Sequence, residues 1–157
     1  MSGVPEHVDP EVWDKVVYCF AEALGLDDDE VTWDAKVIDD LGAESLDLLD
    51  IVFRLERSFD IKIPRGGIDQ DARERASIDN PFEIDGVLTQ LGLDGLAEAM
   101  PEVPAEELQP GLKAVEIPLL FRVATFYRIV VGLMDAKARG IDVVAEAEKA
   151  AAKAIAG

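Results

Sequence analysis

Residues Ser45 to Asp60, SLDLLDIVFRLERSFD, leave the chain little choice of conformation. Laid out at about 100° per residue, Leu48, Val52, Leu55 and Phe59 fall in one tight stripe, with Ile51 and Leu49 on its shoulders. Asp47, Asp50, Arg54 and Arg57 fill the opposite side. That spacing predicts an amphipathic helix whose apolar stripe other elements must cover. A serine preceded by Gly42-Ala43-Glu44 and followed by Leu46-Asp47 has the composition of a helix N-terminus, so the helix is expected to open there. Leu46 and Phe53 break the pattern by lying nearly superposed on the charged side. Single exposed apolar residues are ordinary. Two of them stacked on one charged face mark an expected docking spot.

The rest of the 157-residue chain supplies material for such packing, since 49% of it is hydrophobic, mostly Leu, Ile, Val and Ala, and only 6% aromatic. Asp9-Pro10 reads as a helix start, a capping side chain followed by a proline whose missing N–H does no harm. Val12, Val16, Phe20 and Ala23 then recur at helical spacing, with Trp13, Val17 and Leu24 beside them, until Gly25 ends the element. The acidic stretch up to Glu44 has too broken a pattern for a long element. Residues 65–117 carry glycines, prolines and short apolar clusters, and read as an ordered insertion because Phe82, Ile84, Leu88, Leu91, Leu93 and Leu96 need covering. Within it Asp85-Gly86 suits a short hairpin, and Thr89 suits the cap of a short helix ending before Pro101. Leu119, Val123, Phe126, Val130 and Leu133 predict an amphipathic helix over roughly 118–137, broken by Gly140. The alanine-rich tail, 140–157, is expected to be helical.

Charge narrows the choice of partners. Fifteen basic and thirty-three acidic residues give −18. Residues 1–64 hold seventeen acidic and five basic side chains, a net of −12, while 65–157 carry a net of −6. Solubility alone accounts for much acidity in proteins. A surface this negative also repels nucleic acid and anionic membrane and attracts basic protein patches, above all through the first segment. No apolar stretch approaches the roughly 20 residues that span a bilayer, so no stable membrane insertion is expected. Cys19 is the only cysteine, which excludes an intrachain disulfide and suits a reducing compartment. MSGVPEHVDP is no signal peptide. A cytoplasmic location is expected.

Catalytic chemistry is scarce. His7, the only histidine, falls in a terminal segment expected to be loose and reads as a solvated surface group. Cys19 sits among Val16, Val17 and Phe20 and reads as a buried structural thiol. Asp27-Asp28-Asp29-Glu30 lacks the glycine and spaced glutamate of a calcium loop, so no metal is expected. Arg65-Gly66-Gly67 lacks the strand and helix that a phosphate loop requires. Arg122 and Arg128 are expected to face solvent or pair with acids. Ser45 remains. A serine at a helix N-terminus is usually only a cap, and with no base near it in sequence it makes a poor nucleophile. The free N–H groups and positive dipole end of a helix start do stabilise a phosphate placed there. Ser45 is poorly built as a catalyst and well built to hold a phosphodiester.

The stretch DDLGAESLDLLDIVFRLERSFDIKIP, Asp39 to Pro64, resembles the signature of the acyl carrier protein (ACP) family: an acidic residue, serine and leucine opening the second helix, with an apolar-Pro close. The resemblance covers about 9–64, and the helix at 118–137 supplies the family's last helix. It implies an all-α, acyl-carrier-like four-helix bundle. A large insertion at 65–117 precedes the last core helix, an alanine-rich C-terminal helix follows it, and the whole forms one domain over 1–157. It further implies that Ser45 is esterified by 4′-phosphopantetheine from coenzyme A, and that the arm's thiol carries acyl chains as thioesters, so the protein is a carrier and not an enzyme. Glu44, Leu46, Asp47, Asp50 and Phe53 match the positions that partners read. The partners implied are a phosphopantetheinyl transferase, acyl-processing enzymes such as a ketosynthase, acyltransferase or acyl-ACP ligase, and a bound acyl chain lined by Leu49, Val52, Phe59 and Ile63. LDIVFRLERSFDIKIP is most similar to carriers dedicated to very-long-chain acyl groups, which points to specialised fatty acid or lipid biosynthesis. An unmodified carrier fold used as an interaction adaptor, or a peptidyl or polyketide carrier, is the alternative. Glu44 stands where the family usually has aspartate, and Arg54 and Arg57 occupy a face that is commonly acidic. The insertion either enlarges the acyl cavity or selects a partner.

Overall fold

The computed structural model describes residues 4–63, 76 and 78–140. The alanine-rich tail and Arg65-Gly66-Gly67 lie outside the described residues. The chain divides into two compact units, Met1–Ile63 with Phe121–Val143, and Pro64–Leu120 with Val144–Gly157. The fold is mostly helical, all-α in class and acyl-carrier-like, with one two-stranded hairpin among the described residues.

The first unit is built on three helices. Helix α1 spans Pro10–Leu24; the Asp9 carboxylate accepts the Glu11 N–H at 2.9 Å, and Gly25, at φ 67°, closes the last turn through its N–H to the Ala21 carbonyl. A Cβ resists that left-handed conformation, which is why the helix stops at glycine. Helix α2 spans Ser45–Phe59 and drives Ile51 and Leu55 into full burial, with Leu48, Val52 and Phe59 half-buried against the same core. The apolar face is the one its periodicity marks, but its centre lies nearer Ile51, expected on the shoulder, than Val52. Leu49 is the exception: expected on the shoulder among the acyl-chain liners, it is 40% exposed.

The last helix of this unit starts later than its apolar spacing predicts. It runs Val123–Ala138, while Ala114–Leu120, around Pro118, forms tight 3₁₀ turns. The physical reason lies in the backbone. The Phe121 carbonyl accepts the Val37 N–H at 2.9 Å, and the Val123 N–H donates to the Ala35 carbonyl at 3.1 Å. These bonds hold Phe121 and Arg122 out of the helix, with Arg122 extended beside Lys36, and the Arg122 N–H is satisfied by Thr125 Oγ at 3.1 Å. Leu119 therefore leaves the helical stripe and is 36% exposed, while Val123, Phe126 and Val130 are buried as expected.

The acidic segment after α1 is better ordered than its broken helical pattern implies. A 3₁₀ turn at Asp28–Glu30 is followed by a turn closed by the Ala35 N–H on the Thr32 carbonyl at 3.3 Å and by a bridge residue at Lys36, and along this stretch buried Val31, Trp33, Ala35 and Val37 alternate with Thr32, Asp34 and Lys36. Its aromatic member joins a cluster: Trp33 lies 5.5 Å from Trp13 and 5.3 Å from Tyr127, and Phe20 lies 5.4 Å from Phe126. Offset pairs of this kind add about 0.5–1.5 kcal/mol each beyond their buried area. The terminal segment before α1 is pinned to the same cluster and is not loose. Val8 is buried, the Asp9 N–H donates to the Tyr127 hydroxyl at 2.9 Å, and the exposed His7 ring meets Trp33 edge-on.

The second unit holds a hairpin and a short helix. Strands β1, Glu83–Ile84, and β2, Val87–Leu88, pair antiparallel across Asp85-Gly86, whose φ values of 51° and 82° are those of the tight hairpin turn expected there. Helix α3, Gln90–Ala99, opens where Thr89 Oγ accepts the Gly92 N–H at 3.2 Å. Phe82, Leu88, Leu93 and Leu96 are buried as expected; Ile84 is not, with 59% exposure at the hairpin.

Candidate functional site

The attachment and docking candidates, Glu44 to Phe53, fall on or just before α2, while the acyl-chain candidates continue to Phe59 at its end and Ile63 beyond it. The helix begins with Glu44 at the capping position and Ser45 as the first helical residue. The usual occupant of the cap is a small hydroxyl or carboxylate side chain that accepts an N–H from the first turn. Here Asp47 works in the reverse direction, its Oδ2 accepting the Glu44 N–H at 2.9 Å. The first turn is thus tied without the Ser45 side chain. That side chain is exposed, and among the described residues its hydroxyl has no hydrogen-bond partner. The orphan N–H groups of a 15-residue helix lie next to it, a setting that suits a phosphodiester.

The outer face of α2 keeps the predicted character. Leu46 is 78% exposed and Phe53 40%. Asp50 is engaged with Arg54, Oδ1 to Nε at 3.1 Å, in an exposed i,i+4 pair of the kind worth about 0.3–0.5 kcal/mol. Glu44 is exposed and Asp47 half-buried. One end of the helix therefore presents an acid, the serine hydroxyl, an apolar knob and two more acids.

The other groups weighed for chemistry are structural. The Cys19 thiol is buried, its Sγ 3.4 Å from Ser58 Oγ. Burial pushes its pKa up, and the Ser58 contact and the Arg54 charge offset only part of that. A thiol so placed is a weak nucleophile. Arg122, expected to face solvent or an acid, is buried at the start of the last helix. Glu30 uses a carboxylate oxygen to accept the Asp27 N–H at 2.8 Å, which makes that acidic run a local cap. The feature sequence reasoning missed is the Asp47 back-bond. Its signal was present, an acidic residue three places after the residue preceding the helix.

A family model described as the phosphopantetheine attachment site matches residues 14–70, a span that contains all of α2. Over 69 residues the chain is 41% identical to an acyl carrier protein of Syntrophobacter fumaroxidans, which covers 44% of this chain and 80% of the relative. Similarity to an acyl carrier protein of Akkermansia muciniphila is 40% identity over 70 residues, 45% of this chain and 82% of the relative. One from Thermotoga maritima is 49% identical over 53 residues, 34% of this chain and 65% of the relative. What fold and site define is a phosphopantetheine-bearing carrier and not an enzyme. The chain belongs to the acyl carrier protein family. Membership implies acyl-processing enzymes as partners and a bound acyl chain. Among the described residues no helix is long and apolar enough to cross a membrane.

Proposed function

We propose that Ser45 is the residue esterified by 4′-phosphopantetheine, and that the protein is a discrete acyl carrier of a specialised fatty acid or lipid pathway in the cytoplasm. The observation that carries the reading is the exposed, unbonded Ser45 hydroxyl on the first helical residue of α2, inside the matched attachment span. The arm, when attached, supplies a thiol that holds the acyl group as a thioester. The chain's own residues supply everything else. The α2 N–H groups stabilise the phosphodiester charge. Glu44, Leu46, Asp47, Asp50 and Phe53 present a mixed acidic and apolar surface to a phosphopantetheinyl transferase and to acyl-processing enzymes such as a ketosynthase, acyltransferase or acyl-ACP ligase. Val52, Phe59 and Ile63, half-buried against the core, are the better liners for the acyl chain. Leu49, exposed, belongs with the docking surface. Residues 65–117 are an addition within a single carrier domain.

The test is intact-mass spectrometry after incubation with a broad-specificity phosphopantetheinyl transferase and coenzyme A. A gain of about 340 Da, the group transferred, is expected in the wild type and absent in Ser45→Ala. An unchanged wild-type mass with several transferases refutes the assignment. The acyl group released from protein purified from its native source decides the pathway: a chain of ordinary length argues against the specialised one.

A further inference from the structure

One column of α2 runs outward from the serine as Leu46, Asp50, Phe53 and Arg57, spaced four, three and four residues apart and falling within about 60° of arc. All four reach solvent: Leu46 is 78% exposed, Phe53 40%, the Asp50 side chain 45%, and Arg57 is exposed. The acids along the helix have partners within the chain. Asp47 accepts the Glu44 N–H, Asp50 pairs with Arg54, and Glu56 Oε2 accepts the Ile63 N–H at 2.8 Å. Arg57 differs, for no ion pair engages it among the described residues. It is an unneutralised cation at the far end of a docking column, on a segment whose net charge is −12.

We infer that Arg57 is a specificity-determining residue of this surface. Its partner is a folded protein with an apolar recess for Leu46 and Phe53, a lysine or arginine facing Asp50, and an acidic side chain facing Arg57. The two charged contacts lie two helical turns apart, about 10 Å along the axis. The overall negative charge steers basic surfaces toward the carrier. Arg57 then rejects those that continue basic along the whole column, because a like-charge contact at that point is repulsive. This inference rests on the reading of Ser45 as the arm's attachment point.

The experiment uses full-length protein converted to the phosphopantetheinylated form and confirmed by mass, so that failure of the Ser45 assignment shows first and separately. The probe is a ketosynthase of bacterial fatty acid synthesis chosen for a docking patch of lysines and arginines only. Acyl transfer at low salt is compared for wild type, Arg57→Gln, Arg57→Glu and Arg139→Glu; the last makes the same charge change at the end of the Val123–Ala138 helix. We expect Arg57→Glu to raise kcat/KM by at least about threefold, with Arg57→Gln intermediate. Arg139→Glu should move it by less than half as much, and about 0.5 M salt should abolish the gain. Circular dichroism melting keeps the comparison to folded protein. Equal or slower transfer by Arg57→Glu overturns the inference, as does an equal gain from Arg139→Glu, which would make bulk charge the cause.

Discussion

Leu46 and Leu55 lie on the same helix and have the same side chain, yet the structure assigns them opposite consequences. Leu55 is fully buried against α1 and the last helix of its unit, and Leu46 is 78% exposed. Leu55→Ala removes buried methyl groups and leaves a cavity in a small close-packed core, which costs about 3 kcal/mol. Leu46→Ala removes roughly a fifth of a leucine's burial, about 0.5 kcal/mol, partly offset by the better helix propensity of alanine. Both tryptophans of the chain, Trp13 and Trp33, belong to the carrier unit, so their fluorescence reports that unit's unfolding and not the insertion's. With a urea dependence of about 1 kcal/mol per M, the midpoint should fall by about 3 M for Leu55→Ala and by less than about 0.5 M for Leu46→Ala. The functional effects should reverse in rank: Leu46→Ala slows acyl transfer by partner enzymes while leaving the fold intact. A midpoint shift for Leu46→Ala equal to or larger than that for Leu55→Ala would mean that α2 is rotated about its axis, and the docking face would be wrongly drawn.

Three further outcomes test other parts of the molecule. A Cβ built on Gly92 meets the Phe82 carbonyl oxygen and comes within 3.2 Å of Leu88, so Gly92→Ala should destabilise the insertion by about 1–3 kcal/mol despite alanine's helix propensity. Faster amide exchange across 82–100 checks this, and unchanged exchange refutes it. Burial raises the Cys19 pKa, so at pH 8 iodoacetamide should label the folded protein at least about tenfold more slowly than the urea-unfolded one; equal rates would put the thiol on the surface. Lys137 hydrogen-bonds the Asp60 carboxylate at 2.7 Å and holds its pKa below the usual value. The stabilisation is therefore present above the unfolded pKa of about 3.9 and is lost as pH falls through the lower folded value. The urea midpoint of Asp60→Asn should trail the wild type at pH 7 and converge with it near pH 2; a constant gap would place the effect elsewhere.

Much of this molecule was legible because its determinants are local. The Asp9-Pro10 start, the Gly25 stop, the α2 stripe, the Asp85-Gly86 turn and the Thr89 cap each follow from residues within one or two turns of one another. The misreadings share the opposite property. Helical spacing alone carries the last helix back to Pro118, and only the segment at 35–37, more than eighty residues earlier, holds Phe121 and Arg122 out of it through main-chain bonds. The alternation of Val31, Trp33, Ala35 and Val37 was present in the sequence but hidden among acidic neighbours. Leu49 shows the limit of a helical wheel: the angle places it at the margin of the stripe, and only the packing of neighbouring helices decides which side of that margin is covered.

Ser45 lies one residue inside the helix, after the capping position held by Glu44, so the first turn does not call on its hydroxyl. A serine at the capping position itself would spend its hydroxyl on a first-turn N–H, and a phosphodiester built there would disturb that cap. In α2 the Asp47 carboxylate ties the Glu44 N–H and places negative charge where the helix dipole favours it. Among the described residues the Ser45 hydroxyl makes no hydrogen bond, so the proposed modification there would cost the helix none. The buried face, fixed by Ile51 and Leu55, holds the helix to the core. The fully buried Ile51 and Leu55 and the exposed Leu46 thus share one helix, and the proposed recognition surface is not the surface that packs the core.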